Sequence, residues 1–306
     1  MLRFIAVRVF RIVPIVAGVV TIIFLIFQLV PGDPAVLMAG PMATEEQIAT
    51  LRHAIGLDQP IYLQYWDHLA GLFTGNFGYS LTYKGSPLGE ILLRLPATLA
   101  LAATAIALTI CLGIPAGVLA ALNRDHAADY AISFSVVALL AMPNFWLGLV
   151  MISVFSVDLG WLPSFGFAGW RSVIMPALAL AARLIALIAR LTRGVMIEEL
   201  RKDYVRTARA KGLPFHTVVV RHVLRNVLIP TLTVIGLQTG YLLGGSIVIE
   251  RLFAWPGIGD LLINAVGLRD YNLIQAITVL FTVGFLLVNL VVDILYVAAN
   301  PRLRHA

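Results

Sequence analysis

Two ionisable residues interrupt stretches of this chain that are otherwise apolar, and they are where chemistry would be sought first. Arg183 stands near the centre of the run from Ser172 to about Leu191, which only Arg183 and Arg190 break. Asp293 follows the uncharged run Tyr271 to Val292. A charge at the centre of a hydrocarbon layer costs at least about 2.5 kcal/mol, so Arg183 must face a helix bundle or a water-filled cavity. Two readings of it stand: attraction of a carboxylate along a pathway, or pairing with a carbonyl or a partner chain. Asp293 falls at about the depth of Arg190 and Arg193, which points to a structural ion pair rather than a proton relay. The sequence holds no G-x-x-x-x-G-K-[ST] phosphate loop, no H-E-x-x-H pair and no G-x-S-x-G elbow. Its six histidines are scattered without ligand spacing, and its one cysteine, Cys111, lies in an apolar run, so no metal, disulfide or enzymatic set is expected.

The elements that must carry these residues are membrane spans. The 306 residues are 60% hydrophobic and 12% charged, with a mean hydropathy of +0.92, which belongs to the membrane class. Uncharged runs at Ile12–Gly32, Leu95–Asn123, Tyr130–Val157, Asn226–Ile249 and Tyr271–Val292 each exceed the ~20 residues that cross a bilayer. With the Arg183 run they predict one all-α transmembrane domain over residues 1–306, with six spans at about 9–30, 97–122, 130–157, 172–192, 227–249 and 273–297. No A-x-A-like site follows the first run, which is expected to stay as an anchor. The net charge of +6 does not point to nucleic acid, because most basic residues flank apolar runs. If the N-terminus is inside, fifteen of the 22 Lys and Arg fall on the cytoplasmic face and six on the other, which predicts both termini cytoplasmic.

Three connecting segments are too long or too patterned to be simple turns. The external loop, 31–95, opens a helix with the capping box Thr44-Glu45-Glu46-Gln47 and ends it at Gly56; a second helix follows Pro60 and closes at Gly75. Its aromatic residues suit a membrane interface, either as a cap on the bundle or as a docking surface for an external protein. The external segment 250–272, with Glu250, Trp255 and Pro256, reads as a gate at the mouth of a pathway or as an interfacial turn. The cytoplasmic segment 193–226 predicts an amphipathic helix with Ile197, Leu200, Tyr204 and Ala208 on one face and Glu198, Glu199, Lys202, Asp203, Arg206 and Arg209 opposite. Gly212 stops it, and Pro214 opens a second helix that leads into the fifth span, an L-shaped projection for a partner to grip. In the fifth span, Gly236, Gly240 and Gly244 form a small-xxx-small face for close helix packing.

The stretch Tyr204-Val205-Arg206-Thr207-Ala208-Arg209-Ala210-Lys211-Gly212 resembles the cytoplasmic "EAA" loop of ABC-importer permeases, with Arg206, Thr207 and Ala208 at the Glu-Ala-Ala positions. His222-Val223-Leu224-Arg225-Asn226 replaces the usual Ile-x-Leu-Pro, a variant similar to the peptide, glutathione and nickel branch. Pro31-Gly32-Asp33-Pro34, Gly75-Asn76-Phe77-Gly78, Trp255-Pro256-Gly257 and Asn300-Pro301-Arg302 extend the resemblance over nearly the whole chain. It implies the type I importer permease fold in a bacterial or archaeal cytoplasmic (inner) membrane. The coupling residues it implies are Tyr204, Arg206, Thr207, Ala208, Ala210, Lys211, Gly212, Leu213 and Phe215. The implied partners are a homologous second permease, two ATPase domains and an external solute-binding protein, beside membrane lipid. ATP and Mg would sit on the ATPases, with no cofactor in this chain. The implied solute is a small peptide of dipeptide, oligopeptide or glutathione type, with nickel or another small solute as the alternative. A self-sufficient secondary transporter with Arg183 and Asp293 as ion-linked charges, or a scaffold recruiting a partner through 190–226, are the readings from other classes.

Overall fold

A computed structural model describes residues 2–29, 34–40, 42–54, 56–80, 82–167 and 169–299. The described chain is helical: α1 Leu2–Leu29, α2 Pro34–Ala39, α3 Glu45–Ala54, α4 Ile61–Thr74, α5 Pro87–Leu108, α6 Ile114–Leu122, α7 Ala127–Ala141, α8 Asn144–Met151, α9 Trp170–Leu200, α10 Asp203–Ala210, α11 Phe215–Val218, α12 Leu224–Leu252, α13 Ile258–Gly267 and α14 Tyr271–Ala299. π-helical turns at Thr109–Gly113 and Val219–Val223 join α5 to α6 and α11 to α12, and a third, Ile152–Asp158, extends α8. The six expected spans return as five long apolar helical stretches and one bent pair. Where a single third span was expected over 130–157, α7 and the α8 arm meet at 107°. Pro143 is the cause: it lacks an N–H for the helix ladder and pushes Met142 into extended backbone, φ −84° and ψ 130°. The second span also begins earlier than expected, at Pro87 rather than about 97.

The chain divides into two compact units, residues 1–95 with 261–286, and 96–260 with 287–306. In the first, Val16 and Val20 of α1 are buried with Val279 of α14, and Leu69 of α4 and Phe77 pack against them. The Tyr65 hydroxyl lies 2.7 Å from the Thr21 hydroxyl, and its ring meets Phe24 edge-on. Part of the 31–95 segment therefore lies along the first span. The capping box forms as expected: Gln47 N donates to Thr44 Oγ1 at 3.3 Å, and Thr44 N to Gln47 Oε1 at 3.0 Å. Asp270, fully buried, accepts from Ser80 Oγ at 2.6 Å and Leu273 N at 3.2 Å, which caps α14.

The second unit is built round α9, which α6, α7, α8 and α12 enclose. Alanines let them come close: Ala177, Ala179, Ala181, Ala182, Ala186 and Ala189 are all buried. Gly117 of α6 shows how tight the seam is, since a Cβ there would stand 2.5 Å from the Ala189 carbonyl oxygen. The glycine face of α12 is used unevenly. A Cβ on Gly236 would meet Val292 of α14 at 2.7 Å, whereas Gly244 has open space.

Candidate functional site

The 193–226 segment folds as two short helical pieces on a buried valine floor. Met196 of α9, Val205 of α10, and Val218, Val219, Val223 and Val227 beyond form one buried cluster, with Ile197, Leu200, Tyr204 and Ala208 packed against it. The expected apolar face is therefore the docking face. The helix is not continuous, however: α9 ends at Leu200 and α10 begins at Asp203, with Lys202 in extended backbone between them. Gly212 stops α10 with φ +80°, a conformation costly to any residue with a Cβ, and its N–H reaches the Arg209 carbonyl at 2.9 Å. Pro214 then sets the start of α11, which runs through the π turn into α12 as expected.

A polar latch fixes this elbow. Glu199, on the last turn of α9, is buried rather than on the solvent face to which its periodicity assigned it. Its carboxylate accepts from Lys202 Nζ at 2.5 Å, from the Tyr204 hydroxyl at 2.8 Å and from Asn226 Nδ2 at 3.5 Å. Asn226 also donates to the Tyr204 hydroxyl at 3.3 Å. One carboxylate thus joins the end of α9, the first turn of α10 and the first turn of α12. Burial pushes the Tyr204 phenol above its usual value and the Glu199 carboxylate adds to that, while the Asn226 bond works the other way. Lys202 is likewise raised, first by its bond to Glu199.

With Tyr204 and Ala208 turned inward, the outer face of the elbow presents Arg206, Thr207, Arg209, Ala210, Lys211, Leu213 and Phe215, all exposed. Arg209 sits over the Phe215 ring, 5.8 Å from its centroid. A cationic rim round two exposed apolar side chains can seat in an apolar groove bordered by carboxylates.

The other sequence-selected residues separate. Arg193 does pair, but its carboxylate is Asp129 of α7: Nε to Oδ1 and Nη2 to Oδ2 are both 2.6 Å. Asp125 N and Ser133 Oγ complete the shell of Asp129 at 3.1 and 3.3 Å. Asp293 was the expected partner; its side chain lies outside the described residues, as do Pro31, Gly32, Asp33 and the Asn300–Arg304 end. Arg183 and Arg190 are exposed on α9. Glu250 and Trp255 are both fully buried, and they build the turn into α13. Glu250 Oε2 accepts from Gly259 N at 2.6 Å and Asp260 N at 3.3 Å. Trp255 Nε1 donates to the Ala97 carbonyl at 2.9 Å. Of the three gate candidates only Pro256 is exposed. Among the described residues no three His, Cys, Asp or Glu side chains gather as a metal site. The latch residues Glu199 and Asn226 and the carboxylate Asp129 were not found from sequence, since each acts through a partner on another helix.

The family described as binding-protein-dependent transport system inner membrane component matches residues 113–305, and its N-terminal membrane component matches residues 1–102. The chain is 43% identical over 305 residues to the glutathione transport system permease protein GsiC of Escherichia coli strain K12, with all of both chains covered. The protein of the same name from Salmonella choleraesuis is also 43% identical, again over the full length of both. Among solved structures, a chain of the MetNI methionine ABC transporter in an inward-facing form aligns with a TM-score of 0.58 at 20% identity, over 70% of this chain and 97% of that one. A chain of an amino acid ABC transporter solved with histidines aligns at 0.55 and 15% identity, over 68% and 94%. These structures share the type I importer permease fold with this chain.

Proposed function

This chain belongs to the family of binding-protein-dependent transport system inner membrane components, and on that premise we propose that the solute its importer carries is a small peptide of the glutathione type. It is a permease subunit of an ABC importer, a membrane component without enzymatic chemistry of its own. In the proposed assembly a homologous second permease completes the pathway, two ATPase domains bind ATP and Mg, and an external binding protein delivers the solute. Both termini and the elbow face the cytoplasm, on the strength of the basic-residue bias.

The observation that carries the coupling role is the elbow itself: a latched α10 with an exposed Arg206–Phe215 face that none of the described residues covers. Arg206, Thr207, Ala210, Lys211, Leu213 and Phe215 form the surface for the ATPase, and Tyr204, Ala208 and Gly212 hold it in place. When the ATPases close, force on α10 passes through Glu199 into α9 and through Asn226 into α12. Glu250 and Trp255 act as the brace of the external turn, and Pro256 and Arg183 are the residues open to the pathway.

The test is reconstitution. The chain, its co-purifying permease and ATPases, and the binding protein are placed in liposomes with internal ATP and radiolabelled glutathione. ATP-dependent uptake supports the reading; uptake without ATP, or a chain that purifies alone, refutes it. Ala208→Glu drives a carboxylate into the valine floor and should abolish uptake while the chain remains in the membrane.

A further inference from the structure

We propose that Arg183 and Arg190 form a cationic track along the inner half of the pathway, which selects peptides whose carboxylates outnumber their ammonium groups. The inference rests on the peptide-permease reading above. It begins with the exposure of α9. This helix is enclosed by four others, yet one stripe stays open: Arg183, Arg190 and Gly194 are exposed and Leu187 is half-buried, at the i, i+4, i+7, i+11 spacing of a single helical face. On one side of the stripe Ala186 and Ala189 pack against Val136 of α7. On the other, Leu180 lies against Gly245 of α12. The track is therefore the floor of a groove between α7 and α12. A cavity of about 430 Å³ opens beside it, lined by Ser133 and Val136 of α7 and by Arg190.

The two guanidinium groups differ from their neighbour. Arg193, one turn beyond Arg190, is neutralised by the bidentate Asp129. Arg183 and Arg190 make no ion pair or hydrogen bond with the described residues. Each offers a planar fork of donors suited to carboxylate. Arg183 lies 13 residues into α9, about 20 Å along the axis from its start, and Arg190 about 10 Å further on. A charge at mid-span must face water or an anion. A phospholipid headgroup at the inner surface could reach Arg190, but Arg183 stands too deep in a ~30 Å hydrocarbon layer for one. Water and a passing carboxylate are what both positions have in common. The spacing lets a small acidic peptide engage the second arginine as it leaves the first, while an excess ammonium group is repelled at each.

The experiment uses the whole reconstituted importer with glutathione as the probe. Uptake, binding-protein-stimulated ATP hydrolysis and melting temperature are measured for Arg183→Gln, Arg190→Gln, the double variant and the two Lys variants. The expected result is a loss of uptake of about tenfold for each Gln variant, the size of one lost charge-assisted hydrogen bond. The Lys variants lose less, about threefold, because the charge survives although the bidentate fork is lost. Hydrolysis and melting temperature are unchanged throughout. Normal uptake by the double Gln variant would overturn the track. So would equal losses in the Gln and Lys variants, or a parallel fall in melting temperature, since both describe a packing role. If the unaltered importer takes up no glutathione, the peptide reading falls and the track falls with it; uptake by the unaltered importer separates the two failures.

Discussion

Replacing Tyr204 by Phe removes one hydroxyl and leaves the aromatic packing on the valine floor in place, so it isolates the latch. In the wild-type elbow that hydroxyl donates to Glu199 at 2.8 Å and accepts from Asn226 at 3.3 Å. The Glu199 side chain is only 10% exposed, so water cannot readily replace the lost donor. A hydrogen bond to a charged group of this kind is worth about 1.5–3 kcal/mol. Lys202 softens the loss only a little, because at 55% exposure solvent screens its own pair with Glu199. A net loss of about 2 kcal/mol in the docking of α10 corresponds to a factor of about 30 in its docked-to-undocked ratio. Hydrogen exchange followed by mass spectrometry reads this directly. The amides of α10 should exchange about 30-fold faster, while those of α9 between Met175 and Ile188 keep their protection. Uptake per ATP hydrolysed should fall in parallel. Asn226→Ala should act through the same node, so the double variant should show a coupling energy of about 0.5 kcal/mol or more. Unchanged α10 exchange in Tyr204→Phe, or strictly additive effects of the two substitutions, would refute the latch.

Other outcomes follow from the same coordinates. Gly212→Ala should lower the melting temperature slightly, by the ~1 kcal/mol of a Cβ at φ +80°, and Gly212→Pro should uncouple hydrolysis from uptake, since it also removes the N–H bonded to Arg209. Asp129→Asn weakens the bidentate pair and should destabilise the second unit by about 2 kcal/mol, below the usual figure for a buried pair because Arg193 is 32% exposed; thermal unfolding in detergent checks it. Gly117→Val should reduce the yield of folded chain, read by size-exclusion profile, because its Cβ alone would meet the Ala189 carbonyl at 2.5 Å. In the 31–95 segment, His53 Nδ1 lies 2.5 Å from Asp58 Oδ2, which raises the His53 pKa and lowers that of Asp58. The His53 contribution to local order is complete below its ordinary 6.5 and is lost as pH rises through the raised value, while that of Asp58 is lost as pH falls below its ordinary 3.8; protection of the His53 and Asp58 amides, taken relative to their intrinsic exchange rates, should be greatest between those limits.

What could be read from the sequence was what local periodicity and backbone chemistry determine. Ile197, Leu200, Tyr204 and Ala208 declare the docking face by spacing, Gly212 and Pro214 declare the turn, and Thr44 with Gln47 declares a helix start. The break between Leu200 and Asp203 gave no such signal, because neither Arg201 nor Lys202 is a helix breaker. Pro143 was visible but lay within an uncharged run long enough to count as one span, and length outweighed the proline. Glu199 beside Glu198 looked like a solvated pair, yet adjacent helical residues point about 100° apart, and only the arrival of Tyr204 and Asn226 makes one position an interior site. Asp129 stands 64 residues from Arg193, and no local pattern joins them. Trp255 and Glu250 looked like the rim of a mouth because the surrounding run is apolar; the Ala97 carbonyl and the α13 amides that enclose them come from elsewhere in the fold.

The latch and the arginine stripe share the same two helices. Glu199 and Asn226 stand at the ends of α9 and α12 nearest the elbow, and the groove that holds Arg183 and Arg190 is bounded on one side by α12. On the opposite side Arg193 ties α9 to α7 through a bond much stronger than the Asn226 contact: two 2.6 Å charge-assisted links against one amide at 3.5 Å. A push on α10 therefore meets a stiff joint toward α7 and a yielding one toward α12. Packed interiors move between discrete arrangements rather than stretching, so the joint that gives is the one whose exchange of partners costs least. Cross-linking α9 to α12 at Leu180 and Gly245, which lie against each other, with a paired-cysteine variant should accordingly arrest uptake while leaving binding-protein-stimulated hydrolysis measurable. The corresponding link from α9 to α7, between Ala186 and Val136, should leave uptake near normal. The reverse pattern would place the moving joint at Asp129 and reassign the latch to static support.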